Sequence, residues 1–338
     1  MHPEVSLVLL TVLSSAGQGL FILTILLDLI FLKTDMIPSN FFIVSVLTTL
    51  VLQITGITAS TFHLGKPVRG WMAISMWKNS WLSREIISIS LFTACAFIYG
   101  ILYKFYVPHM ERTLIGLLGI GAAFSFFISS SMVYASIRFI KEWSNGFTPI
   151  NFILFGITAG FALGLPILLM TNTPTDVTLT LSKTLIVMGV ISFLCKSMAF
   201  KYNANIYHSI DTKSAVGINN PNIKLMDMGT TYEHFNTKEF HYFIPTEELI
   251  LKKKKVIVIT FILPIMLWIL TALKPLQMIA DYISIFAVIL MIRGLITERF
   301  LFFAEGNHIQ NLYYGNFKSY KNENPLLISA KKGTPLPN

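Results

Sequence analysis

Two polar stretches, HLGKPVRGW at 63–71 and SWLSREI at 80–86, interrupt a chain that is apolar on either side of them. They hold an imidazole (His63), a carboxylate (Glu85) and three cations (Lys66, Arg69 and Arg84), and with the residues that join them they carry three of the chain's five tryptophans, Trp71, Trp77 and Trp81. An imidazole that donates or accepts a hydrogen bond beside a carboxylate that accepts a proton suits a ligand whose reaction moves protons. Gly65 followed by Pro67 is a helix stop, because glycine adopts the left-handed cap and proline cannot continue the hydrogen-bond ladder. His63 is therefore expected in a last helical turn, where the carbonyl end favours a donating or protonated imidazole. Ser83 reads as the N-cap of the next helix, with Glu85 in its first turn. On that reading both side chains face one shallow cavity. The tryptophans prefer the headgroup level of a bilayer, so the connection should lie along the interface as a lid. A belt of interfacial anchors without a ligand accounts for His63, Lys66, Arg69 and the tryptophans equally well.

A second polar constellation lies near the C-terminus. The stretch MIRGLITERFLFFAEGNH at 291–308 puts Arg293, Glu298 and Arg299 inside an apolar helix, with Glu305 at its end. Ionisable groups at lipid depth are costly and normally pair or line a polar pocket. Glu298, Phe302 and Glu305 share a helical face, whereas the neighbours Glu298 and Arg299 are not expected to face each other. A structural role for Glu298, neutralising a cation on another helix, is the competing reading. Asp28 stands near the end of the first apolar run, where it is expected to reach water.

The elements that carry these groups follow from composition. Hydrophobic residues make up 54% of the chain and charged residues only 13%, with a mean hydropathy of +0.64. A soluble domain carries about a quarter charged residues, so this is an integral membrane protein. Eight apolar runs are long enough to span a bilayer, at 5–31, 41–62, 86–103, 114–133, 152–170, 179–200, 256–273 and 282–303, and the sixth, with Lys183 and Lys196, is the least apolar in pattern. The first is too long for a signal peptide and follows Glu4, not a basic segment, so it reads as a retained helix. Continuous runs also exclude a β-barrel. The expected fold is an all-α polytopic bundle of about eight transmembrane helices over residues 1–303, followed by a polar tail at 304–338.

Basic residues set the expected orientation. Of the 26, 18 fall in the loops after spans two, four and six and in the tail, against four on the other side. The positive-inside rule makes the richer face, with both termini, cytoplasmic. The net charge of +9 is thereby explained by topology and anionic lipid, without nucleic acid. The loop at 201–255 contains the turn-rich NNPN and a KKKK run entering span seven. Pro166 and Pro264 suggest kinks, and Gly156, Gly160 and Gly164 let a neighbouring helix approach closely. Cys95 and Cys195, each alone in an apolar run, read as small core residues, so no cysteine-ligated cluster is indicated.

HLGKPVRGW with SWLSREI, the fourth-span ending SSSMVYASI and ERFLFFAE in the last span together resemble the membrane anchor subunit of the DMSO reductase type, the anchor of the complex iron–sulfur molybdoenzymes. The segment SAVGINNPNIKLMDMG at 214–229 is more similar to the branch that includes anchors of cytoplasmic sulfite dehydrogenases, which leaves reduction of DMSO and oxidation of sulfite both open as the reaction of the complex. The resemblance implies an anchor in the bacterial cytoplasmic membrane that binds quinol or quinone, menaquinone or ubiquinone. It also implies electron exchange with a four-cluster iron–sulfur subunit that serves a molybdopterin catalytic subunit. It carries the family's quinol-site histidine to His63, its loop glutamate to Glu85 and its last-span glutamate to Glu298. Arg69, Trp71 and Trp81 join them as candidate quinone contacts, since an aromatic ring can wall a quinone.

No terminal-substrate chemistry is expected in this protein, and no haem or iron–sulfur cluster, because its seven histidines, at 2, 63, 109, 208, 234, 241 and 308, lie at helix ends or in loops. A transporter would show repeats and broken helices meeting near the midplane, which the sequence does not. A structural anchor without quinone contact remains as an alternative.

Overall fold

The computed structural model describes residues 3–31, 36–62, 65–105, 108–206, 216–220, 223, 226, 242, 244–273 and 278–309; His63, Lys213 and the tail at 310–338 lie outside them. Every regular element among the described residues is helical. The first six helices are α1 (Val5–Ile30), α2 (Ser39–Thr61), α3 (Trp81–Lys104), α4 (His109–Ala135), α5 (Phe147–Met170) and α6 (Thr175–Ala204). A 3-10 helix, Pro67–Met76, joins α2 to α3. A later helix, α7 (Thr246–Val256), runs through a π-helical turn, Ile257–Ile262, into α8 (Leu263–Thr271), and α9 (Ala280–Glu305) completes the bundle.

Among the described residues, seven helices, with α7 to α8 counted as one from Glu247 to Thr271, are long and apolar enough to cross a membrane. The run expected as the eighth span forms α9, an unbroken 26-residue helix that is not among those seven. It traverses the bundle: Ala280 borders a cleft with Thr173, Thr178 and Thr271 at one end, while Phe302 and Phe303 pack on Trp143 and Val8 at the other. The Trp143 indole donates to the Phe302 carbonyl at 2.7 Å, which ties the α4–α5 turn to the end of α9.

Helix α1 is the hub. Its span is 83% buried, against 33% for α3 and for the α7–α8 span. Its run SSAGQG, at 14–19, is small enough for close packing on both sides. A Cβ on Gly160 would stand 2.0 Å from the Gly19 carbonyl carbon, so α5 lies with its backbone against that of α1. The glycine stripe of α5 does what its spacing predicts, and its partner is α1.

The π turn follows from Pro264, which has no N–H to return to the Thr260 carbonyl and so shifts the ladder locally. At the end of the bundle away from Trp143, Asp28 does not reach water as expected. It is 6% exposed, its carboxylate takes the Arg112 guanidinium at 3.2 Å, and the Tyr99 hydroxyl donates to it at 2.9 Å. Three helices, α1, α3 and α4, are thus joined at a point where the sequence shows only an isolated acid. Cys95 is buried, as expected of a small core residue, and Cys195 is half-buried.

Candidate functional site

The α2–α3 connection is fastened by the first turns of α3. Helix α3 begins three residues earlier than expected, because Ser80 and not Ser83 is its N-cap: Ser80 is extended (φ −117, ψ 125) and its hydroxyl accepts the Ser83 N–H at 3.4 Å. Ser83 instead donates its hydroxyl to the Ala73 carbonyl at 2.5 Å, drawing the 3-10 helix onto α3. Arg84 adds bonds from Nε to the Trp77 carbonyl, 2.9 Å, and from Nη2 to the Lys78 carbonyl, 2.7 Å, with its guanidinium over the Trp81 ring at 4.3 Å. The polar groups of SWLSREI therefore hold the connection in place.

That shift moves Glu85 out of the first turn and into the bundle. It is 7% exposed and lies near Ser130 of α4. Tyr134, one turn further along α4, is close enough to interact electrostatically with both Glu85 and Arg299. Around the same end, Trp71 is 68% exposed, Arg69 is exposed and Trp81 half-buried, as side chains at a lipid–water boundary are.

Glu298 is fully buried on α9. Its Oε1 takes the Lys196 ammonium of α6 in a close ion pair, so the cation expected on another helix is supplied by Lys196. Contrary to the expectation from helical spacing, Arg299 also turns back to its neighbour, with Nη1 at 3.7 Å from Glu298 Oε2. The guanidinium can do so because Phe152 covers its other side, 3.6 Å from the ring centroid. Glu305, expected on the Glu298 face, pairs with Lys253 of α7. A small cavity adjoins Lys196, Glu298 and Arg299, with Asn151 of α5 and Asn203 of α6 among its walls. Just beyond α9, His308 sets its ring edge-on to Phe139 at 5.0 Å, and partial burial lowers its pKa below the ordinary value.

The site residues thus form two groups at one end of the bundle. Glu85, Trp81, Trp71 and Arg69 belong to the α2–α3 side, and Glu298 sits in an ionic cluster between α6 and α9. Tyr134 and Arg299 are the side chains that relate the two. Neither Lys196 nor Tyr134 was identified from the sequence as a functional group, although Ser130 and Tyr134 both fall within SSSMVYASI and Lys196 stands out as a cation inside an apolar run. Among the described residues, no three His, Cys, Asp or Glu side chains gather to hold a metal ion.

An all-helical bundle with a clamped interfacial connection and ionisable groups buried behind it is the framework of a membrane anchor. Over residues 1–315 the protein matches the DMSO reductase anchor subunit (DmsC) family, and it belongs to that family. It is 33% identical over 329 residues to a sulfite dehydrogenase subunit of Allochromatium vinosum, an alignment that takes in 93% of this sequence and 99% of the relative. It is a membrane anchor subunit and a homologue of that protein.

Proposed function

We propose that this subunit seats a quinone at the α2–α3 connection and passes electrons between it and an iron–sulfur subunit docked on the same face, which serves a molybdopterin catalytic subunit. The observation that carries the reading is Glu85: a carboxylate buried at the end of a membrane bundle, next to hydroxyls and with no ion pair among the described residues. A carboxyl group so placed is costly as a purely structural element and suited to exchanging a proton. The residues present fit a quinone: Glu85 and His63 to exchange protons and hydrogen bonds at the headgroup, Trp71 and Trp81 to flank a ring, and Arg69 at the aqueous rim. Glu298 acts from behind. When bound, the quinone supplies a two-electron, two-proton couple. The likeness to a sulfite dehydrogenase subunit supports electron flow from the catalytic subunit towards quinone, with sulfite as the terminal donor.

In the assembled complex, His63→Leu should weaken binding of a quinone-analogue inhibitor at least about tenfold, the loss of roughly one hydrogen bond to a polarised group. Unchanged inhibitor affinity with normal quinone-coupled turnover would instead support an anchor without quinone contact.

The asymmetry of basic residues supports a bacterial cytoplasmic membrane protein whose docking face and both termini are cytoplasmic. Cysteines introduced at Lys213 and Lys331 should resist a membrane-impermeant thiol reagent in intact cells and react after lysis. Strong labelling at both positions in intact cells would reverse the orientation.

A further inference from the structure

The end of the bundle away from the α2–α3 connection holds a cleft that the quinone reading does not use. It lies where the α5–α6 turn, the first two turns of α6, the end of α8 and the start of α9 converge, and it encloses about 270 Å³. We propose that this cleft is a second ligand site, which seats the uncharged, hydroxyl-bearing headgroup of a membrane amphiphile in the leaflet opposite the α2–α3 connection. The site stands apart from Glu85 and does not depend on the role given to that residue.

Hydroxyl groups form the walls. Thr175, Thr178 and Ser182 recur at i, i+3 and i+7, so they line one face of α6. Thr173 and Thr271 line the cleft from the turn and from α8, and Thr173, Thr178, Ser182 and Thr271 are each more than nine-tenths buried. The turn is closed by its own backbone: the Thr171, Asn172 and Thr173 N–H groups donate to the Ile167, Leu169 and Leu168 carbonyls at 3.1, 3.3 and 3.2 Å. Asn172 takes the left-handed conformation that this closure needs, φ 55, which asparagine tolerates. The wall is therefore in place before any ligand arrives.

Size and hydrogen-bond accounting select the ligand. A cavity of about 150 Å³ holds a benzene ring, so this one admits a substituted ring or a glycerol or sugar unit. The Thr178 hydroxyl donates to the Thr175 carbonyl at 3.0 Å, and that of Ser182 to the Thr178 carbonyl at 3.0 Å. Thr271 shares its proton between the Trp268 carbonyl at 2.8 Å and Ser182 Oγ at 3.2 Å. With those protons committed, the three oxygens offer the cleft lone pairs, which call for a ligand that donates O–H. Among the described residues no charged side chain lines the cleft, so neither a phosphate nor an ammonium finds a counter-ion there. Leu169 and Leu179 add apolar surface for the part of the ligand that joins its tail. The phenolic hydroxyls of a quinol and the hydroxyls of an uncharged sugar-headed lipid share this chemistry. A purely structural role would need less, because Thr178 and Ser182 bond their own helix and a core packed to native density leaves no such space.

The test uses the whole complex in phospholipid nanodiscs with two photoreactive reagents, a short-tailed azido-quinol kept reduced and an uncharged diazirine glycolipid, and maps the labelled peptides. One of them should label the segments around Thr175 and Ala280, and which one does so identifies the source of the headgroup. Thr178→Val/Ser182→Ala keeps the shape of the wall and removes two acceptors, so labelling there should fall at least about tenfold, the scale of two lost hydrogen bonds. Activity with artificial dyes should stay unchanged. Ala280→Leu narrows the cleft with every hydroxyl in place, and gives the same loss of labelling if the double variant fails to assemble. Should the quinol be the reagent that labels, its oxidised form, which has no O–H to donate, should label at least about tenfold less. Labelling by neither reagent, labelling that survives both variants, or equal labelling by quinol and quinone overturns the proposal. Labelling at the α2–α3 connection by the same azido-quinol bears on the quinone reading alone, so the two can fail separately.

Discussion

Glu85→Gln should give a complex that assembles, retains all its subunits, and reduces quinone about a hundredfold more slowly. Glutamine has nearly the shape of glutamate, so packing between α3 and α4 is preserved. It cannot accept or release a proton, and general acid–base catalysis contributes about 10² to 10⁴ in rate. Artificial dye acceptors that take electrons directly from the partner subunits should be reduced at the normal rate, because they bypass the membrane site. Glu85→Asp should recover part of the activity, since it restores the carboxylate one methylene short. Quinone-coupled turnover unaffected by Glu85→Gln would remove Glu85 from the proton chemistry of the site. A parallel loss with quinone and with dyes would point to a docking defect.

The spans were legible because lipid demands long apolar helices with internally satisfied backbones, and that demand is written as continuous runs. The contact between α5 and a neighbour was legible for a related reason: glycines at four-residue spacing have few other uses in a membrane helix. What the sequence could not show was which side chains meet across helices. Asp28 looked like an acid at the edge of water, and its partners Tyr99 and Arg112 come from two other helices. Ser83 looked like the cap because it precedes the carboxylate. Ser80 took the role since the fold needed Ser83 to fasten Ala73, a contact ten residues away that local pattern does not encode. The turn from Arg299 to Glu298 depended on Phe152, a residue of α5. His63, the best-marked group in the sequence, lies outside the described residues, so the α2–α3 site rests on Glu85 and the clamp around it.

Lys196→Met carries the largest expected loss of stability. The ion pair it breaks is almost completely sealed, with side chains 6% and 1% exposed, so the carboxylate of Glu298 would be left in the bundle without its close cation. Removing one member of a buried pair costs about 3–5 kcal/mol. Arg299 remains at 3.7 Å from the other oxygen and offsets part of this, which places the expected loss near the lower bound, about 3 kcal/mol. Adding Glu298→Met should restore some stability by removing the stranded charge, as hydrophobic replacement of both members of such pairs often does. Recovery should be incomplete, because among the described residues Arg299 would then be left against the faces of Phe152, Phe155 and Phe302, at 3.6, 5.7 and 5.8 Å, which offset its charge less well than a carboxylate. Denaturant titration of the single and double variants in micelles measures both numbers. A single variant as stable as the parent would mean that water entering the adjoining cavity already solvates Glu298, whereas full recovery in the double variant would mean that Arg299 does not depend on Glu298 for compensation.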